Sequence, residues 1–197
     1  MNPQASNNLL SVTQVLHRFS DFYLMEYPDP ADPKYIPNPA IIDHAAERGS
    51  LVHSICAGIA QGIPTLDMPA EVAGYIESFW NWFFETVWSV FAVEAELIHP
   101  AYLYKGHPDM IVRIKGDWSL TVVDLKTPQT KSRTWRCQLA AYWELGKAND
   151  YDIGRAMALR LDPHGKQAKV IEFKDHKQDF AAFLCALSAL RYMRGEL

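Results

Sequence analysis

The chain has 197 residues, 49% of them apolar and 12% aromatic, with 23 acidic against 19 basic side chains and a formal net charge of −4. That is apolar material for one domain with a substantial core. It excludes a chain coated in basic charge, so any contact with a polyanion has to be local. No run of eighteen uncharged apolar residues occurs, and "MNPQASNNLL" lacks the basic start and apolar body of a signal peptide; a cytoplasmic protein without a membrane partner is expected.

Residues 1–10 read as a polar arm. Ser11 and Gln14 stand at capping-box spacing, so a short helix starts at Ser11. "YPDPADPKYIPNP" carries five prolines in thirteen residues, which excludes regular structure and reads as a loop or flap. The expected division is therefore an arm, short helix and Pro-rich loop over residues 1–39, and one folded domain over 40–197. From about Pro39 to Gly62 the pattern is helical, and a second helix is expected from about Pro69 to Val90. Its aromatics recur in steps of four, as Tyr75, Phe79 and Phe83 and as Trp80, Phe84 and Trp88, the spacing of core-facing stripes. Trp82 falls outside both stripes and is the aromatic there best suited to stacking on a base.

"FAVEAELIHP" then alternates as a strand, with Glu94 and Glu96 on one side. "HPDMIVRI" and "WSLTVVDL" read as two further strands and "SRTWRCQLAAYWELGK" as a helix. "IGRAMALRL" and "QAKVIEF" form a pair of strands around the turn "DPHG", and an amphipathic helix follows from "HKQDFAAF" onward. This order predicts an α/β fold, a mixed sheet of about five strands with helices on its faces. Cys56, Cys137 and Cys185 lack metal-ligand spacing and are too few for an iron–sulfur cluster, so they are expected as small buried apolar residues.

Two aspartates, Asp109 and Asp124, stand in runs that otherwise read as buried strand. A Gly116-Asp117 loop of type II′ joins those runs. It sets Lys115 opposite Trp118, Arg113 opposite Leu120, Ile111 opposite Val122 and Asp109 opposite Asp124. Like charges so placed repel, and a hard divalent cation with oxygen ligands, Mg²⁺ or Mn²⁺, relieves them. Lys126 points from the same face, where its amine can neutralise a developing oxyanion or hold an attacking water. Gly49 and His53 stand one helical turn apart on an earlier helix, the glycine allowing close backbone approach. Gln138 and Tyr142 share a face of the helix after the hairpin.

This series resembles the PD-(D/E)xK nuclease superfamily, and within it the RecB-type branch that includes phage exonucleases. The residues that carry the resemblance are Gly49-x-x-x-His53, a glutamate of "VEAE", Gly106-His107-Pro108-Asp109, Asp124-Leu125-Lys126 and Gln138-x-x-x-Tyr142, across roughly residues 41–145. It implies a restriction-endonuclease-like core, with His53, Asp109, Asp124 and the backbone carbonyl of Leu125 as metal ligands and Lys126 as the catalytic lysine. Glu94 is the better candidate for the acid before the hairpin, Glu96 the second. Gln138 and Tyr142 would orient DNA or the lysine and water. It further implies a Mg²⁺- or Mn²⁺-dependent deoxyribonuclease, an exonuclease of phage or bacterial recombination or repair. Its partners would be DNA with an end, a recombination protein and copies of itself. A structure-specific or nicking endonuclease, or a non-catalytic DNA-binding subunit, are the alternatives. The four cysteines that some relatives carry for an iron–sulfur cluster are missing here.

Between Leu125 and Trp143 no acidic residue occurs, while Lys126, Lys131, Arg133 and Arg136 do. That stretch is the local basic patch a phosphate backbone needs, with salt-sensitive contacts. Trp135 within it either stacks on a base or anchors the helix.

Overall fold

A computed structural model of the chain describes residues 9–17, 19, 39–64, 68–128 and 131–196, residues 39–42 by their backbone only. Residues 1–8 of the expected arm and most of the Pro-rich loop lie outside the described residues.

Helix α1, Val12–His17, starts as its capping box predicts. Ser11 Oγ accepts from Gln14 N at 3.1 Å, and Gln14 Oε1 accepts from Ser11 N at 2.9 Å. Helix α2 spans Pro39–Ala60 and α3 Ala70–Thr86. Strand β1, Val87–Val93, follows α3 without a loop, so the expected helix to Val90 stops four residues early. The chain turns extended at Val87, where β-branched and aromatic residues favour a strand and pair with a neighbour. Two short strands, β2 (Leu97–Ile98) and β3 (Lys105–Gly106), form a separate antiparallel ribbon. The remaining elements are β4 (Met110–Ile114), β5 (Leu120–Lys126), α4 (Thr134–Ala148), β6 (Ile153–Arg160), β7 (Lys169–Ile171) and α5 (His176–Met193).

The main sheet has five strands in the order β1-β4-β5-β6-β7. Only β5 and β6 run parallel, with α4 as the crossover between them; the other pairs are antiparallel. Helices cover both faces. One core lies between α2 and α3 and the face bearing Met110, Val112, Val123 and Leu125. The other lies between α1, α4 and α5 and the face bearing Ile111, Leu120 and Val122. Among the described residues, no helix is long and apolar enough to cross a membrane.

The β4–β5 register is the expected one, with Arg113 opposite Leu120 and Ile111 opposite Val122. The turn is not. A type II-like turn runs over Ile114–Asp117, closed by Asp117 N donating to Ile114 O, with Gly116 third at φ +85° rather than first in a two-residue loop. Lys115 does not pair with Trp118; its N–H donates to Thr86 O. The ladder also stops at Met110–Val123, one pair short of the two aspartates.

Tyr75, Phe79 and Phe83 are buried, but the second aromatic stripe, Trp80, Phe84 and Trp88, faces solvent. Trp82 is buried against Phe79, which removes it as a base-stacking surface. It stands three residues after Phe79, so the core-facing stripe is wide enough to include it. Of the cysteines only Cys56 is buried; Cys137 is half-buried, Cys185 exposed, and all three are free thiols.

Gly106 answers to packing. A Cβ there would stand 2.7 Å from Tyr142 Cε1 and 2.8 Å from Leu145 Cδ1. Gly106→Ala is expected to destabilise by about 1–3 kcal/mol through overpacking, read as a lowered Tm, and to displace Tyr142.

Candidate metal centre

Three carboxylates come together where β1, β4 and β5 end side by side. Glu94 follows β1 directly, and its N–H donates to Asp109 O at 3.1 Å. Asp109 immediately precedes β4, and Asp124 is two residues before the end of β5. Continuing both registers by one step sets Glu94, Asp109 and Asp124 in a row across the three strands. A positive φ of 49° at Glu94 ends the strand there. This separates it from Glu96, which turns away to Lys105 at 2.8 Å and His107 at 3.5 Å. The two glutamates therefore do not share one strand face.

Asp109 is the hub. Its Oδ1 lies 2.8 Å from His53 Nδ1, and its Oδ2 accepts from Leu125 N at 2.5 Å, so a side chain takes the N–H that the shortened ladder leaves over. His53 comes from the middle of α2. Among the described residues His53, Glu94 and Asp109 present ligand atoms within 4.8 Å of one another. Gly49 is not demanded by the chain's own packing, since a Cβ there would stand 3.5 Å from Thr127 Oγ1, an ordinary contact.

Asp124 is 3% exposed and stands beside that trio, without a ligand atom within 4.8 Å of all three. Its Oδ2 lies 2.5 Å from Lys126 Nζ, close enough for an ion pair but off the direction of a hydrogen bond. Lys126 Nζ donates to Gln138 Oε1 at 2.8 Å, and Gln138 Nε2 donates to Tyr142 Oη at 3.3 Å. Asp124, Lys126, Gln138 and Tyr142 thus form one chain of contacts, with the i, i+4 pair of α4 holding the lysine in place.

Burial raises the Asp124 carboxyl above its usual range against the pull of Lys126. Burial and then the charge of Asp124 raise Tyr142 as well. For His53, burial acts downward, but the Asp109 hydrogen bond and the Asp109 and Asp124 charges outweigh it and raise the imidazole. Glu94 is exposed as a residue, yet its carboxyl leans over Asp109. Desolvation first, then Asp109, push it from 4.5 up to about 7. The folded state thus holds that proton more tightly than the unfolded chain does. Stability of the metal-free protein is expected to fall as pH rises from about 4.5 to about 7. Thermal melts in a chelator across that range should show the fall, and Glu94→Gln should flatten it.

The donor set suits a hard divalent cation. One imidazole nitrogen and carboxylate oxygens, with a buried carboxylate alongside, are ligands for Mg²⁺ or Mn²⁺ rather than for a thiophilic metal. Two cavities meet at this point, of about 990 and about 400 Å³, and both are lined by His53, Glu94, Thr127 and Pro128. The smaller also takes in Thr13 and His107. Thr13 arrives from α1, distant in sequence, and no local pattern marks it; His107 is visible only as a neighbour of Asp109.

The expected basic patch divides. Lys126 is committed to Asp124 and Gln138. Arg136 is held by Asp179 at 2.5 Å and Asp175 at 3.6 Å. Lys131 and Arg133 are exposed. Trp135 is buried with Leu139, Ala158 and Ile171, its ring 5.6 Å from Lys126 Nζ, and so anchors the helix.

No protein-family model and no curated protein matches the chain. Among solved structures it is similar to a candidate exonuclease from Eubacterium rectale, with a TM-score of 0.55 at 14% identity, over 100% of this chain and 85% of that one. An alkaline exonuclease from Laribacter hongkongensis aligns over 98% of this chain and 95% of its own, at 14% identity and a TM-score of 0.33, too loose a superposition to carry an inference. The five-stranded mixed sheet flanked by helices is a restriction-endonuclease-like fold.

Proposed function

We propose that the chain is a Mg²⁺- or Mn²⁺-dependent deoxyribonuclease of the RecB-type branch, an exonuclease acting on DNA ends in phage or bacterial recombination or repair. The observation that carries this reading is the meeting of His53, Glu94 and Asp109 beside the Asp124–Lys126–Gln138 chain, where two cavities join. The candidate exonuclease whose fold it shares agrees with it in kind.

His53, Glu94 and Asp109 would hold the cation, with Asp124 and the Leu125 carbonyl adjacent. When bound, such an ion neutralises charge on a scissile phosphate and acidifies water. The chain's own residues do the rest. Asp109 fixes the imidazole and the β5 backbone together. Lys126 presents an ammonium to the developing negative charge, held on one side by Asp124 and on the other by Gln138. Tyr142 keeps the Gln138 amide turned so that its oxygen faces the lysine. Lys131 and Arg133 supply phosphate contacts at the rim.

The test is incubation with end-labelled linear and covalently closed circular DNA, single- and double-stranded, in Mg²⁺ or Mn²⁺. Loss of linear DNA with circles intact is expected. Cutting of circles makes the enzyme an endonuclease, and no hydrolysis in either metal removes the catalytic reading.

A further inference from the structure

Charge changes sign along the end of the main sheet. Glu94, Asp109 and Asp124 stand in a row across the ends of β1, β4 and β5. Two residues beyond Asp124, the register sets Lys126 of β5 opposite Arg160 of β6, and Arg160 opposite Lys169 of β7. Three cations thus stand side by side on adjacent strands, starting from the lysine of the site. Leu161 N donates to Lys126 O at 2.9 Å, which ties β6 to β5 where this row lies.

The three side chains share one face of the sheet. Trp135 packs with Ala158 and Ile171, and its ring lies 5.6 Å from Lys126 Nζ. Arg160 is two residues beyond Ala158, and Lys169 two before Ile171. Strand alternation therefore puts both on the face that Trp135 covers. Lys126 is met by Asp124. Lys169 is exposed and forms no ion pair among the described residues. Like charges set opposite one another repel, and a bound polyanion relieves them.

The span of the row selects its ligand. Neighbouring strands lie about 4.8 Å apart, so the backbones of Lys126 and Lys169 stand about 10 Å apart. One strand of B-DNA advances about 3.4 Å per phosphate, so the row covers roughly three of them. A small isolated anion does not span that distance. Direction follows from the neighbours. Toward β1 the sheet end carries carboxylates. The larger cavity, against α2, has no lysine or arginine among the described residues that line it. Only the β6–β7 side continues the positive charge of Lys126.

We infer that Arg160 and Lys169 extend Lys126 into a phosphate track, along which the DNA backbone beside the scissile phosphate runs out across β6 and β7. The identity of the polyanion rests on the proposed nuclease function; the track itself rests on the register. Equilibrium binding of fluorescein-labelled DNA to the full chain, over a salt series in a chelator, reads the track without hydrolysis. Lys169→Gln, at an exposed position, should reduce the slope of log K against log salt by about 0.7 on single strands and about 0.9 on duplex, the loss of one phosphate contact. Lys169→Arg should restore it. Adding Arg160→Gln to Lys169→Gln should double the reduction. In Mg²⁺ or Mn²⁺ the defect of Lys169→Gln on linear DNA should fall on KM. Lys147→Gln, at the far end of α4, removes the same charge away from the row and should keep the wild-type slope. A wild-type slope in Lys169→Gln overturns the track, as does an equal reduction in Lys147→Gln, which would make the effect one of bulk charge. Reduced slopes in a protein that hydrolyses no DNA in either metal uphold the track and remove the catalytic reading. Hydrolysis with unchanged slopes does the reverse.

Discussion

Replacing Lys126 with methionine is expected to lower turnover on linear DNA on the order of 10²–10³-fold, the loss seen when one preorganised donor to developing charge is removed. Two other readouts should accompany it. Cation titration should survive, because Lys126 is not among the three residues whose ligand atoms converge. The melting temperature should fall, because Asp124, 3% exposed, loses the ammonium 2.5 Å from its Oδ2. Stranding a buried charge costs about 3–5 kcal/mol. The lower end applies here, since burial already raises Asp124 and it can escape by taking up a proton. At about 2–4 °C per kcal/mol for a chain of this size, the fall is roughly 6–12 °C.

Adding Asp124→Asn to that variant removes the stranded charge and should recover most of the lost stability but none of the turnover. Stability and chemistry then separate, which neither single substitution achieves. Full turnover in Lys126→Met takes the lysine out of the reaction. An unchanged melting temperature would mean that Asp124 is neutral in the wild type as well.

The site was more legible than the turn that builds it. The register linking Arg113 to Leu120 and Ile111 to Val122 follows from the alternation of the two strands, which a slip of one residue would invert. The loop could therefore be misread, with Gly116 in the wrong position, without disturbing the aspartates. The α3–β1 boundary failed for the opposite reason. No glycine or proline marks it, and the four-residue rhythm of Trp80, Phe84 and Trp88 runs on across the junction, so helical period alone overshoots into the strand. Glu94 and Glu96 look equivalent in an alternating strand. What distinguishes them is the left-handed backbone at Glu94 and a lysine nine residues beyond Glu96, neither of which shows in the local pattern. Arg136 reads as a free cation only until α5 brings Asp179 against it from 43 positions away.

Asp109→Asn should abolish cation binding while leaving Lys126 in place. In wild type, a cation at a hundred times its dissociation constant adds about 2.7 kcal/mol, or roughly 5–11 °C in Tm. In the variant that shift should vanish, since Asp109 is the hub that reaches both His53 and the β5 backbone. The metal-free protein should respond with two opposed effects. An asparagine oxygen can still accept from Leu125 N, and its N–H₂ can donate to a neutral His53 Nδ1, so what is lost is the charge assistance of both bonds. A hydrogen bond to a charged group is worth about 1.5–3 kcal/mol, against about 1 kcal/mol for a neutral one. Against this, removing the charge relieves Glu94, but that carboxyl belongs to an exposed residue and solvent screening makes the gain smaller. The loss wins, and the metal-free melting temperature should drop. Glu94→Gln makes the contrasting case. It also weakens cation binding, yet above pH 7 it removes a carboxylate whose ionised form the fold disfavours, and the metal-free protein should gain stability. Opposite signs without metal, with a weakened response to metal in both, are what a shared cation site requires of its hub and its rim. A metal-induced shift that persists in Asp109→Asn places the cation elsewhere.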